Sequence, residues 1–546
     1  TYTIVDDEWG LIKTKTAAGA NYAKSHTKRM VLGQELKPTL GKGVKVGVVE
    51  GIAPDGTAGV SPALTTLGDR LKKSLDFRDV NLPVRVDPPN STKDAKHTSL
   101  VADTIAGSDP DNTSVAPAAE IYNGVTPGSK GLRGGVDWLN REYQVHIFNH
   151  SYNAGASGLL TDDYASFLDY HARVFDTIHV IGAGNNQFPD APFRIGSPGD
   201  SYNGITVGAL DESLQARAGY SSYWLRGDSS DQTDIRGKPD ILAPGGGVGN
   251  SIMSNGLYKQ SGTSFATPHV TGVVALLFDA DLPNRLVQGP SSHLAAKAII
   301  LNSARKRFMV GGENAANAVS LDNDATKAHA SDADYLNAGG GIRANSSTAA
   351  APKTAGWTPS NWTTNAAGVL TVTSPYDDEQ GVGVVDAERA ILQHQAGKQA
   401  PGNVTRMGWD VNRTSPAAGA KEYRINANLT NGKFLTVTLC WDQLTDETDG
   451  SEQVDEPIRD YETRGEEIDD NGIIIGLGGV PNYNLRVYKD NVLIAESVAP
   501  VSGGNVEHLH VPLPSDGDSY RLEVKLDGPA TVTKTYPYAI AWMAGE

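Results

Sequence analysis

The sequence predicts two bodies of different class: a parallel sheet with helices on both faces over residues 44–400, and an antiparallel β-sandwich over 401–546. Three observations predict it. Short β-branched runs alternate with helical patterns from Val44 to about residue 300, the signature of strand–helix–strand units. Beyond Gly402 the apolar period changes to two. Gly397, Pro401 and Gly402 cluster at the change, as they do at a boundary.

The apolar runs 44–49, 120–125, 145–149, 177–182 and 205–210 are rich in Val and Ile and do not alternate, which suits strands buried on both faces. Helical patterns at 132–143 and 162–175 lie between them, the second opened by Thr161 as a cap. Residues 1–43 read as an extension packing on the α/β domain. Residues 305–380, rich in Ala, Asn, Ser and Thr, read as a surface insertion in it. In the last third, Leu435, Val437, Leu439 and Trp441 alternate with Thr436, Thr438 and Cys440. Tyr520, Leu522, Val524 and Leu526 alternate with Arg521, Glu523 and Lys525, and Leu509, Val511 and Leu513 repeat the period. Such half-buried strands predict the sandwich.

Length and composition bound the function. The 546 residues are enough for two to four domains. The net charge of −17 argues against a nucleic-acid backbone or an anionic membrane as partner. Thirteen Asp and Glu residues between 442 and 470 face only Arg459 and Arg464, so most of that charge is local to one segment. Mean hydropathy is −0.34, and no apolar run approaches the roughly 18 residues of a membrane span. The single cysteine, Cys440, excludes an intramolecular disulfide framework and a Cys-rich metal site. The first residue is Thr1, with no charged-then-apolar leader, so a processed mature product or a trimmed chain is expected.

Active sites on parallel sheets sit at the carboxyl ends of the strands, so the residues just after each run carry the most information. Glu50 closes the run 44–49, where a carboxylate is costly unless paired; its plain reading is a residue marking the exit into water. Asn185 comes after another run in Gly182-Ala183-Gly184-Asn185, plainly a turn asparagine. His97 opens a helix whose apolar positions are Leu100, Val101, Thr104 and Ile105 and whose end is Gly107, so it points outward above the sheet. Ser264, in the segment 261–270 (Ser-Gly-Thr-Ser-Phe-Ala-Thr-Pro-His-Val), stands where a Gly-Thr-Ser turn enters an apolar helix over 270–277. A helix N-terminus there favours developing negative charge, although a capping serine is the usual reading. Pro268 is expected in that helix's first turn, where its missing N–H costs nothing. An acid, a histidine, an amide and a serine on one sheet edge, in the order acid, His, Ser, make the four plain readings jointly improbable.

At these residues the chain resembles the subtilisin-like serine protease (subtilase) family over about 44–304 and again at 381–387 (Gly-Val-Gly-Val-Val-Asp-Ala). The serine box 261–270 matches almost letter for letter. The stretch 97–107 resembles the histidine box, 115–119 the segment after it, 183–185 the oxyanion segment and 238–245 the approach to the serine strand. The resemblance implies a subtilisin-like fold and a serine endopeptidase. Ser264 would be its nucleophile, His97 its general base, Asn185 its oxyanion donor and Glu50 its acid. Ser151, Tyr152 and Asn153 would form a substrate-binding edge, with Ala183 and Gly184 beside the specificity pocket. The chain departs from the family at two places. The acid is Glu50, one methylene longer than the usual Asp and with one residue missing before Gly51; Asp55, in a Pro-Asp-Gly turn, is the rival. Thr98 stands where the family has Gly, with Leu100 and Asp103 also altered.

The implied partner is a protein or peptide substrate, with neither nucleic acid nor membrane, and the implied setting is extracellular after loss of a propeptide. No cofactor is implied for catalysis. A structural Ca²⁺ is expected, with no ligands assigned, and the acidic segment 442–470 is one place for it. The C-terminal sandwich looks like the jelly-roll domains appended to some bacterial subtilases. Two other readings share the fold: a transpeptidase or macrocyclase, in which an amine replaces water, and a catalytically idle binding protein.

Overall fold

The computed structural model describes residues 29–31, 34–36, 39–51, 59–60, 64, 66–77, 84–85, 96–107, 114–126, 128–152, 163–185, 195–211, 217–223, 237–246, 248–250, 258–281, 291–306, 359, 361–426, 434–443, 445–448, 460–463, 467–468, 474–476, 481–499, 504–513 and 519–544. Eight strands form the first sheet: β1 (Lys45–Gly51), β2 (Leu71–Asp76), β3 (Val84–Arg85), β4 (Glu120–Thr126), β5 (Ile147–His150), β6 (Ile178–Gly182), β7 (Ile205–Leu210) and β8 (Ile241–Pro244). Their order is β8-β7-β6-β5-β1-β4-β2-β3, parallel throughout except for β3 on the edge. From β1 the chain crosses first to β2 and the edge strand β3, returns to β4 between β1 and β2, and then builds outward on the other side through β5 to β8. The switch point therefore lies between β1 and β5, where an open α/β sheet places its crevice.

Six helices accompany these strands among the described residues: α1 (Lys96–Ala106), α2 (Gly128–Tyr143), α3 (Asp163–Phe175), α4 (Thr263–Asp281), α5 (Ser292–Ser303) and α6 (Ala387–Gln395). The missing alternation in the strands follows from a sheet covered twice. Val46, Val48, Ile121, Ile147, Val180 and Val207 share one core with α1 and α4. Val49, Phe148 and Ile181 share the other with Leu132, Val136 and Leu139 of α2 and Phe167 and Leu168 of α3. Each such side chain contributes about 1.5–3 kcal/mol by leaving water. Gly47 is needed where β1 passes Phe148, because a Cβ there would lie 2.6 Å from the ring.

Pro268 departs from its expected place. α4 begins at Thr263, with Gly262 O accepting from Phe265 N at 3.0 Å, so Pro268 lies inside the helix rather than in its first turn. An internal proline frees the carbonyl four residues back, here that of Ser264. Ser151 Oγ donates to that oxygen at 2.7 Å, which satisfies the freed acceptor.

The C-terminal part is two facing sheets. Labelled in chain order, the strands are β9 (Asn361–Thr364), β10 (Leu370–Ser374), β11 (Gly402–Val404), β12 (Met407–Thr414), β13 (Lys421–Ile425), β14 (Phe434–Trp441), β15 (Tyr483–Lys489), β16 (Val492–Ser497), β17 (Val506–Pro512), β18 (Tyr520–Leu526) and β19 (Tyr536–Ala544). One sheet runs β9-β10-β16-β15-β18-β13-β11 and the other β12-β19-β14-β17. The sequence boundary near 400 is thus not a single crossing. β9 and β10, from the stretch read as an insertion in the α/β domain, form a hairpin that joins the sandwich by parallel pairing of Leu370–Val372 with Ala495–Ser497. The chain then returns: Tyr376 donates to Asp240 Oδ1 at 2.8 Å, and Val382 N to Asp240 O at 2.9 Å. Gly381 takes φ +60°, and a Cβ there would lie 2.2 Å from Asp240 O.

β18 alternates as expected, with Tyr520, Leu522, Val524 and Leu526 buried and Arg521, Glu523 and Lys525 more exposed, but β14 is buried on both faces rather than half-buried. Leu435, Val437, Leu439 and Trp441 fill the sandwich core. On the other face Cys440, with Ala539, Ala541 and Met543 of β19, packs into the α/β core, and Thr438 donates to Asn302 Oδ1 of α5 at 3.1 Å. The polar half of the pattern faces a helix, not water. At the start of α5, His293 lies between Asp176 Oδ1 (2.6 Å) and Asp442 Oδ1 (2.7 Å), one acid from each body. Of the N-terminal extension, Leu40 N and Gly41 N donate to Asp279 Oδ2 of α4, at 2.7 and 2.9 Å.

Candidate active site

β1 carries Glu50 to the carboxyl edge of the sheet, opposite Val125 of β4. The carboxylate is buried, 6% exposed, because the first turn of α1 closes over it. An ionised carboxylate only accepts, so His97 Nδ1–H donates to Glu50 Oε2 at 2.9 Å and leaves Nε2 facing outward. Thr98 Oγ1 donates to the same oxygen at 2.8 Å. Oε1 is buried and has no hydrogen-bond partner among the described residues. His97 keeps 42% of its side chain exposed, and its ring lies 5.3 Å from that of Phe265, the residue after Ser264. Burial pushes the imidazole pKa down, but the charge and hydrogen bond of Glu50 outweigh it and hold His97 above its ordinary value.

Ser264 is the second residue of α4, so its N–H is among those a helix start leaves without an internal acceptor. No hydrogen bond joins His97 to Ser264 among the described residues; bonds of this kind often tighten only with substrate bound. Asn185 lies just beyond β6. Its Oδ1 accepts from Thr263 N (2.9 Å) and Thr263 Oγ1 (3.0 Å), so the amide nitrogen is the end turned away from those donors. A Cβ on Gly262 would lie 3.2 Å from that nitrogen and crowd it. Thr263 Oγ1 also accepts from Gly184 N at 3.2 Å, and Gly184 takes φ +102°, a conformation suited to glycine. Ala183 N pairs with Val207 O at 2.9 Å and stays in the sheet.

At the end of β5, Ser151 holds the Ser264 carbonyl and Tyr152 OH lies 3.0 Å from His150 Nδ1. Asn153, the third residue of the expected edge, and Asp55, the rival acid, lie outside the described residues. The structure therefore brings Glu50, His97, Ser264, Asn185, Ser151, Tyr152, Ala183 and Gly184 to one edge. Sequence reasoning missed the contacts of Thr98 and Ser151. The Thr98 signal was readable only as a departure: a hydroxyl where the family has none, beside an acid that is too long.

Behind this edge three imidazoles form a buried chain. His150 Nε2 lies 3.0 Å from His179 Nδ1, and His179 Nε2 lies 3.3 Å from His171 Nδ1. Burial pushes His150 and His171 down to about 3, and His179 well below its ordinary value, so all three are neutral at pH 7.

Residues 41–333 match the sequence profile of the Subtilase family. The chain is 30% identical over 200 residues to alkaline elastase YaB of Bacillus sp. (strain YaB), a match covering 35% of this chain and 46% of the elastase. It is 29% identical over 191 residues to subtilisin DY of Bacillus licheniformis, covering 33% of this chain and 62% of the subtilisin. The chain thus spans about half the length of these curated relatives. Among solved structures, the prenylagaramide maturation protease PagA aligns with 48% of this chain and 84% of its own, at 20% identity and a TM-score of 0.35. The profile match covers more than half of the 546 residues, and the chain belongs to the Subtilase family.

Proposed function

We propose that the protein is a serine endopeptidase working through an acyl-enzyme, with Ser264 as nucleophile, His97 as general base and Glu50 as the acid. The observation that carries this reading is the 2.9 Å Glu50–His97 contact, on a helix turn that packs beside the start of α4. Substrate would lie along Ser151, Tyr152 and Asn153, with Ala183 and Gly184 beside the specificity pocket. Ser264 Oγ attacks the scissile carbonyl while His97 Nε2 takes its proton, and Glu50 keeps Nδ1 protonated and stabilises the imidazolium. The Ser264 N–H and the Asn185 amide receive the oxyanion. His97 then protonates the leaving amine, and water releases the acyl group by the reverse route. Because His97 must start neutral and Glu50 holds its pKa up, kcat/KM should rise with pH on a limb above the ordinary histidine value.

The test is labelling by a fluorophosphonate probe together with casein hydrolysis. Wild type should label and cleave, and Ser264→Ala should do neither. Glu50→Gln should lower kcat by about 10³–10⁴-fold, as loss of the triad acid does, while Asp55→Asn should change little. The reverse pattern in the acids assigns the triad to Asp55. Ligated or cyclised products would mean a transpeptidase, and no labelling an idle binding module.

We also read the protein as secreted, freed of a propeptide and stabilised by Ca²⁺. No described helix is long and apolar enough to cross a membrane. Among the described residues no group of three or more His, Cys, Asp or Glu side chains is placed to hold a metal, and Asp442 is engaged by His293. A fall in melting temperature with EDTA, reversed by Ca²⁺, would establish the ion.

A further inference from the structure

The longer acid creates a problem that the first turn of α1 answers. Glutamate has one more rotatable bond than aspartate, so holding its carboxylate in a single position for His97 costs more conformational entropy. Among the described residues the carboxylate does not achieve this by spreading its two oxygens over separate donors: Oε1 is buried with no partner among them, and both donors meet on Oε2. A carboxylate oxygen has two lone-pair directions. Thr98 Oγ1 occupies one at 2.8 Å and His97 Nδ1 the other at 2.9 Å. The two donors are consecutive residues of one helical turn, so their spacing is set by the helix. Thr98 is buried, 4% exposed, and cannot exchange this bond for one to solvent.

We propose that Thr98 is a positioning residue for the reaction, pinning the Glu50 carboxylate so that Oε2 presents one fixed lone pair to His97. The inference rests on the Ser264–His97–Glu50 reading and adds a fourth member that acts only through the acid. With glycine at 98 the carboxylate would be free to turn Oε1 toward the ring or to swing off it. The extra methylene of Glu50 and the hydroxyl of Thr98 thus form one compensating pair.

The experiment compares Thr98→Val, which keeps shape and removes the donor, with Thr98→Ser, which keeps the donor. Two readouts are taken on the full chain: steady-state kinetics on one peptide, and the NMR titration of His97 in a Ser264→Ala background, which needs no activity. Thr98→Val should lower kcat about tenfold with KM within twofold, and should move the His97 titration down by several tenths of a pH unit as its contact with Glu50 loosens. Thr98→Ser should restore both. In a Glu50→Ala background, Thr98→Val should have no further effect on kcat. An unchanged kcat and titration would overturn the proposal. So would an upward titration shift, which would mean that the hydroxyl merely screens the carboxylate. A lowered melting temperature with neither readout moved would mark Thr98 as purely structural. Glu50→Gln run alongside separates the two levels: loss of kcat there without loss in Thr98→Val refutes only the role of Thr98, whereas no loss in Glu50→Gln refutes the triad itself.

Discussion

Replacing His293 by Gln should loosen the seam between the two bodies in a manner that depends on pH. His293 is 3% exposed and donates from both nitrogens, to Asp176 Oδ1 at 2.6 Å and Asp442 Oδ1 at 2.7 Å. A ring that donates twice is an imidazolium. Burial alone would push its pKa down; the charges and hydrogen bonds of Asp442 and Asp176 overcome this and raise it from 6.5 to about 10. The sign comes from linkage. A raised folded-state pKa contributes stability that is fully present below about pH 6.5 and is lost as pH rises through about 10. At roughly 1.36 kcal/mol per pH unit, the contribution is about 5 kcal/mol below pH 6.5, about 4 at pH 7 and about 1 at pH 9. Breaking a buried ion pair by removing one partner costs about 3–5 kcal/mol, the same size. Asp176, which the hydrogen bonds and charge of His293 hold below the usual carboxylate range against the opposing push of burial, makes the seam weaken at acid pH as well. The assay is urea unfolding followed by tryptophan fluorescence from pH 6 to 10, in a Ser264→Ala background that suppresses self-digestion. The parent should lose stability steeply between pH 6.5 and 10, and His293→Gln should start lower and run flat. Two lines descending in parallel would refute the imidazolium as the link.

The site and the core behind it give two further expected outcomes. Asn185→Ala should lower kcat by about 10²–10³-fold with little change in KM, since the amide acts on the oxyanion rather than on bound substrate; steady-state kinetics on one peptide decides it. The buried His150–His179–His171 chain should make the protein acid-sensitive. A lowered histidine pKa contributes stability that is present above about pH 6.5 and is lost as pH falls toward about 3. His171→Gln should therefore reduce the slope of stability against pH in that window by about 1.4 kcal/mol per pH unit; an unchanged slope in acid titrations would show that His171 is already charged.

Much of the architecture was legible because burial leaves its mark on local composition. The runs at 44–49 and 205–210 lack polar alternation because helices cover both faces of the sheet, and they coincide closely with β1 and β7. The helix over 97–107 was legible from its apolar positions and Gly107, and it is α1 within a residue or two. What misled were patterns whose meaning depends on a distant partner. Alternation in β14 looked like a solvent face, yet Thr438 and Cys440 lie against α5. The stretch 361–374 carries only a weak local signal, and it becomes two strands because β16 offers a free edge. Pro268 is tolerated inside α4 because Ser151, 113 residues from Ser264, takes the carbonyl that the proline frees.

The residue types of the site, their order and their place at strand ends and helix starts were determined by the sequence alone, since each depends on a short motif and its neighbours. So was the local nature of the negative charge. Only the tertiary structure decided that Glu50 meets His97 through Oε2, that Thr98 shares that oxygen, and that Thr263 holds the Asn185 amide by its oxygen. These are contacts of about 3 Å between residues some 47 to 78 positions apart. A hydrogen bond depends on distance and angle, and those are set by how the sheet and the two helix starts converge, not by any property of the residues taken one at a time.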